Sequence, residues 1–319
     1  MNRYKKIIHM LVFALIVVIS FNKGLYNPFA TNDISRLAHD VDVAVKSNDP
    51  LYEEIVNKSS SLEESPQNAY IDRVWKKTPG RNGIRVDVEA SYAQMHEKTV
   101  FDKSLLVYEQ IPPEVAFKDL PAAPVYRGHP DKNMVSILIN VSWGKEHIPD
   151  ILRTLKKHRV QATFFIEGQW AKKNVDYVEM IDEQGHLIGN HAYSHPNMEL
   201  LSKAKIVEEI QQTNDVLKAI TDTQPKWFAP PSGSYNDHVV NVVHNMNMET
   251  VLWTVDTIDW KNPTPSVMMD RVMSKLHKGA TILMHPTPVI AEALDSMIAQ
   301  IKEQGYNIGT IEQLVDEKR

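Results

Sequence analysis

From Met134 onward, short apolar runs alternate with amphipathic segments, and that alternation restricts the possible fold more than any other feature of the chain. Residues 136–140 (SILIN), 162–166 (ATFFI), 187–189 (LIG), 226–228 (KWF), 251–255 (VLWTV), 281–284 (TILM) and 307–310 (NIGT) read as strands. After the first, Ile148, Ile151, Leu152 and Leu155 recur at helical spacing, with Pro149 near the start, where its missing N–H costs little. Residues 175–184, a long stretch marked by Ile206, Ile210 and Leu217, and residues 239–245, 267–277 and 290–304 read as further helices. Strands alternating with helices predict an α/β fold, a distorted (β/α) barrel with about seven parallel strands. An open doubly wound sheet is the alternative. No G-x-G-x-x-G follows a strand, so a dinucleotide-binding fold has no support.

The residues before this series are organised differently. Arg3, Lys5 and Lys6 precede an apolar run, residues 7–21, broken only by His9 and Ser20. A basic start before such a run reads as an export signal, either cleaved or retained as a membrane anchor. As a helix the run spans about 22 Å, short of the roughly 30 Å hydrocarbon core. The positive-inside rule places the rest of the chain outside the cytoplasm. Residues 1–30 are therefore assigned to a signal peptide or anchor, 31–133 to a small α/β extension with linkers, and 134–315 to the barrel. Within the extension, 59–66 (SSSLEESP) and 121–133 have linker composition, Pro79 and Gly80 mark a turn, and 84–88 (IRVDV) is a strand followed by a helix. The net charge of -5 offers no basic footprint for nucleic acid. There are no cysteines, so any metal must sit on His, Asp or Glu.

Polar or turn-forming clusters follow the strands. Asn140, Val141, Ser142, Trp143 and Gly144 follow the first, and His191 and His195, four apart, follow the third. Ala229, Pro230, Pro231, Ser232, Gly233, Ser234 and Tyr235 follow the fourth; Asp256, Asp259 and Trp260 the fifth; His285 and Pro286 the sixth. In a parallel barrel the C-terminal strand ends converge on one face, where the loops build the site. Two imidazoles four apart can hold one divalent ion, and zinc is the default for such donors. Helix-cap or core packing is the competing explanation for the histidine pair, an N-cap for Asp259, and turn packing for Pro230, Pro231, Tyr235 and Trp260.

In their order, and over about residues 134–315, these motifs resemble the polysaccharide deacetylase family (the NodB homology domain), and within it a sporulation-associated branch of Gram-positive bacteria. The resemblance implies metal-assisted removal of an N-acetyl group from an amino sugar of cell-wall polysaccharide. It makes His191 and His195 the metal ligands, His285 the acid that protonates the leaving amine, and Asp259 the carboxylate that orients His285. Pro230, Pro231, Tyr235 and Trp260 become walls of the sugar groove.

The family's first motif also supplies a base Asp and a metal-binding Asp, and here the chain departs. Counted back from Gly144, those positions hold Ser142 and Trp143; aligned on the strand, the base position holds Asn140. Two imidazoles without the Asp imply a weakly bound divalent metal, zinc by donor type. The family's Arg before Pro-Pro, which pairs with the base Asp, is replaced by Ala229. Losing both together avoids stranding a buried charge. Glu146 is a candidate to stand in as base. Two readings follow. One is an atypical deacetylase whose metal-bound hydroxide attacks without a protein base, at a cost on the order of 10²–10⁴-fold. The other is a catalytically degenerate, non-enzymatic protein that binds cell-wall glycan through the old groove.

Overall fold

The computed structural model describes residues 49–319. The expected signal or anchor at 1–30 lies outside them, and no helix among the described residues is long and apolar enough to cross a membrane. The chain divides into two compact units: residues up to Leu62 with Val86–Tyr108, and Glu63–Arg85 with Glu109–Arg319.

In the smaller unit, α1 (Pro50–Ser59) begins on a proline, and its N-cap Asp49 accepts from the Leu51 N–H at 2.8 Å. Helix α2 (Val88–Met95) is capped by Asp87 in the same way. Leu51, Ile55, Val86 and Met95 are its buried core. The strand and following helix expected from residue 84 onward are present as β3 (Gly83–Asp87) and α2. Before them, and belonging to the larger unit, β1 (Tyr70–Asp72) and β2 (Lys76–Thr78) form an antiparallel hairpin; β3 pairs with β4 (Val107–Ile111).

The barrel strands are β5 (Met134–Val141), β6 (Thr163–Ile166), β7 (Leu187–Asn190), β8 (Trp227–Phe228), β9 (Glu249–Thr250), β10 (Val255–Asp256), β11 (Thr281–Met284) and β12 (Asn307–Gly309). All pair in parallel, in the order β10-β11-β5-β6-β7-β8-β9, with β12 on β5. Residues 251–255 were expected as one strand. Instead β9 ends at Thr250, β10 begins at Val255, and the residues between them pass from one sheet edge to the other. Five Cα steps reach at most about 18 Å. Seven strands laid flat would hold those edges roughly 29 Å apart. The sheet is therefore curled into an open barrel, which removes the doubly wound alternative.

Residue parity on β5 decides what faces the barrel interior. Val135, Ile137, Ile139 and Val141 pack with Ile148, Ile151, Leu152 and Leu155 of the helix Ile148–His158. Leu138 packs instead with Phe165, Trp227, Ala229 and Ile311. The two-residue period then sets Asn140 on the interior side, at the C-terminal end of the strand. Gly189 lies opposite Phe165, and a Cβ there would run into the Phe165 ring.

The boundary expected at 133/134 does not bound the compact unit. Within 121–133, read above as a linker, Pro124, Val125, Gly128 and His129 are buried. The Val125 N–H donates to the Thr250 carbonyl at 2.8 Å, and its own carbonyl accepts from the Leu252 N–H at 2.8 Å. One residue thus covers the free edge of β9, where unpaired backbone groups would otherwise face solvent. Lys77 of β2 is fully buried, its Nζ 2.6 Å from Glu249 Oε1 and 4.5 Å over the Phe117 ring. A fragment beginning at residue 134 is therefore expected to melt on the order of 10 °C below one beginning at residue 63, by circular dichroism. Equal melting would make the preceding segment dispensable to the barrel.

Candidate active-site cavity

Six segments at the C-terminal strand ends line a cavity of about 410 Å³. Asn140, Ser142, Trp143, His191, His195, Trp260 and His285 line it, joined by Ser232, Trp253 and Asp256. The metal, acid and degenerate-base residues expected from sequence, together with Trp260, thus converge on one space.

The His285–Asp259 pair is the most constrained part. Asp259 is fully buried at the start of a 3₁₀ turn. It accepts from His285 Nδ1 at 3.0 Å, the His285 backbone N–H at 3.0 Å, the Thr257 hydroxyl at 2.8 Å and the Thr287 hydroxyl at 2.9 Å. Burial alone would raise its pKa, but the bond and charge of His285 and the two hydroxyls outweigh burial and hold the carboxyl below its usual range. Trp143 stacks on the other ring: its indole lies 6.0 Å from the His285 imidazole at an interplanar angle of 10°. Gly144 follows at φ +75, where a Cβ would overlap the Pro286 carbonyl oxygen, so only glycine lets these two loops meet.

The histidine loop is held from both sides. His191 Nδ1 donates to the Ala229 carbonyl at 2.7 Å, which leaves Nε2 as the free lone pair. Burial, with a contribution from His195, pushes the His191 pKa down to about 3 and keeps the ring neutral, the form that ligates a metal. The His195 ring lies 5.1 Å from it at 72°. His195 is solvent-exposed on its outer side, and partial burial of its ring also lowers its pKa. Ala192 and His195 both have positive φ, 60 and 57, a conformation that non-glycine residues hold only where surroundings impose it.

Two residues that sequence reasoning passed over impose it. Asn190 Nδ2 donates to the Ile210 carbonyl and to Asn214 Oδ1, each at 2.8 Å, and its Oδ1 accepts from the Ala192 N–H. Glu209, on the helix Lys203–Thr221, accepts the Tyr193 and Ser194 N–H groups at 2.8 Å and the Ser194 hydroxyl at 2.7 Å. Glu209→Ala is expected to weaken any divalent-metal binding by His191 and His195 about 10–100-fold with the fold intact. Calorimetric titration of metal into the chelator-stripped variant checks this, and unchanged affinity would mean the loop holds itself.

At the degenerate base position, Asn140 is 4% exposed and its Oδ1 has no hydrogen-bond partner. Ala229, in the place of the family Arg, is buried among Leu138, Phe165 and Trp227. Glu146, the candidate substitute base, is exposed, sits 3.7 Å from His147 Nε2 and does not line the cavity. The groove residues divide. Trp260 lines the first cavity. Pro231 and Tyr235 line a neighbouring one of about 440 Å³ that shares His195 and Ser232 with it. Pro230 is buried and lines neither. Trp253, which had been absorbed into a strand, lines the first cavity and rests against Gly233.

The curled sheet and this loop constellation define the class, and sequence comparison agrees with it: the chain belongs to the polysaccharide deacetylase family, whose model matches residues 127–251. It is 46% identical over 316 residues, 99% of either chain, to YlxY of Bacillus subtilis (strain 168), described as uncharacterized. To a peptidoglycan-N-acetylglucosamine deacetylase of Bacillus cereus it is 33% identical over 191 residues, 58% of this chain and 70% of that one. Among solved structures it is similar to a CE4 family pseudoenzyme from Bacillus anthracis, at 52% identity and a TM-score of 0.80 over 84% of this chain and 96% of that one. A mutant of that pseudoenzyme, 50% identical to this chain with the same TM-score of 0.80 over 84% of this chain and 99% of that one, is described as having restored enzymatic activity.

Proposed function

We propose that this protein is a catalytically degenerate member of its family that binds N-acetylated cell-wall glycan outside the cytoplasm. One observation carries the reading: among the described residues, no carboxylate stands at the interior end of β5, where the family places its base. The interior end of β5 offers the amide of Asn140. Asp259 is committed to His285, Thr257 and Thr287, and Asp256 stands at the end of β10, away from that position in the strand order β10-β11-β5, with its Oδ1 taking the Ile258 N–H at 2.8 Å. The similar Bacillus anthracis protein described as a pseudoenzyme supports the same conclusion. The peptidoglycan named for the Bacillus cereus relative supports the choice of glycan. The basic and apolar start of the chain supports export, with cleavage or anchoring of residues 1–30 and a place in the wall of sporulating Gram-positive cells.

A divalent ion, zinc by donor type, fits the cavity incompletely. His191 and His195 would hold it, and among the described residues no group of three or more His, Asp or Glu side chains is placed to hold a metal ion. When bound, such an ion supplies Lewis-acid activation of a substrate oxygen or water. Two imidazoles make a weaker cage than the usual three protein ligands. The intact His285–Asp259 pair favours the second reading, an atypical deacetylase of low activity. Glycan binding itself is expected to rest on the indole faces: Trp143→Ala and Trp260→Ala should each weaken binding of an N-acetylglucosamine oligomer about tenfold, followed by tryptophan fluorescence. Purified protein should be partly loaded with metal, and His191→Ala/His195→Ala should carry none by elemental analysis. Undiminished oligomer binding in both indole variants would place the glycan elsewhere.

A further inference from the structure

We infer that the groove prefers a de-N-acetylated glycan, with the ammonium of a glucosamine residue as the recognised group. The inference rests on the glycan-binding reading and adds that, within an otherwise N-acetylated chain, the groove holds a residue that has lost its acetyl group more tightly than one that keeps it. Beside the hydroxyls of Ser142 and Ser232, the cavity offers several acceptors. Asn140 Oδ1 is buried and has no partner. His191 spends its ring N–H on the Ala229 carbonyl and keeps a lone pair. Asp256 adds a carboxylate to the lining, and Glu199 adds another in the adjoining cavity. Neither lining contains a lysine or an arginine. The position where the family carries Arg is Ala229, buried in an apolar cluster.

The walls point the same way. Trp143, Trp253 and Trp260 surround the same space. Indole faces attract cations more strongly than other aromatic rings do, and cages of them select ammonium groups. Lys261 Nζ already lies 4.8 Å over the Trp260 ring, so the incoming ammonium is left to the other indoles and to Asp256. An N-acetyl group brings one N–H and a carbonyl into this space; a free ammonium brings three donors and the matching charge. An amide hydrolase acting on the glycan must supply that amine, releasing acetate, so this protein would act after a deacetylation step.

The test compares oligomers of glucosamine and of N-acetylglucosamine, equal in length, binding to the full chain at neutral pH in the presence of chelator. About tenfold tighter binding of the glucosamine oligomer is expected. Asp256→Asn, in which Oδ1 can still accept from Ile258, should abolish the preference, read as the ratio of the two affinities. Zinc in place of chelator should weaken glucosamine binding by competing for the same acceptors. Equal binding, or a preference for the acetylated oligomer, overturns the inference and leaves the glycan reading intact. A preference undiminished in Asp256→Asn removes the carboxylate of the lining from the recognition and also overturns it. If neither oligomer binds, the glycan reading fails first.

Discussion

Asn140→Asp combined with Ala229→Arg is expected to release acetate from an N-acetylglucosamine oligomer on the order of 10²–10⁴-fold faster than wild type, the range attached to a restored general base. The increase should exceed the product of the single effects. Asn140→Asp alone places a carboxylate where no cation orients it. Ala229→Arg alone puts a guanidinium into the cluster of Leu138, Phe165 and Trp227, where an unpaired charge costs several kcal/mol. Each change supplies what the other lacks, so coupling is required of the pair. Ser142→Asp with Ala229→Arg is the control for the other alignment. The alternation along β5 favours Asn140, which shares the interior face with Leu138. Wild-type acetate release that neither pair improves would show that water activation does not use this position.

Glu249→Leu is expected to destabilise the protein by about 3–5 kcal/mol, because it leaves the Lys77 ammonium without its partner in a fully buried position. The double variant Lys77→Met/Glu249→Leu should recover most of the loss, since replacing both ions by apolar groups removes the stranded charge along with the pair. Equilibrium urea unfolding reads both. A loss below about 1 kcal/mol in the single variant would mean that Lys77 reaches water and behaves as a surface pair.

Both outcomes depend on features unequally legible in the sequence. The strand–helix alternation was plain, because each buried face repeats with its own period. Residues 251–255 misled because Val, Leu, Trp, Thr and Val read as strand wherever they stand. Curling of the sheet makes that stretch a bridge between edges, and this is decided by strands far away in sequence. Residues 121–133 read as a linker because a single edge-covering residue, Val125, leaves no periodic trace. In the cavity, His191, His195, Asp259, His285 and Trp260 were legible as polar or aromatic residues at strand ends. Asn190 and Glu209 were not, since their work is to hold a loop through contacts with a helix that only the fold reveals. Tyr235 is bonded to Tyr126 at 2.7 Å rather than standing in the first cavity.

The most direct measurement is a titration of the wild-type chain with an N-acetylglucosamine oligomer, with bound ligand and released acetate followed in the same sample and zinc present. A degenerate binding protein saturates while acetate stays at the level of the protein-free control. Acetate rising with repeated turnover as the ligand saturates would contradict the account and make this chain an enzyme that works without its carboxylate.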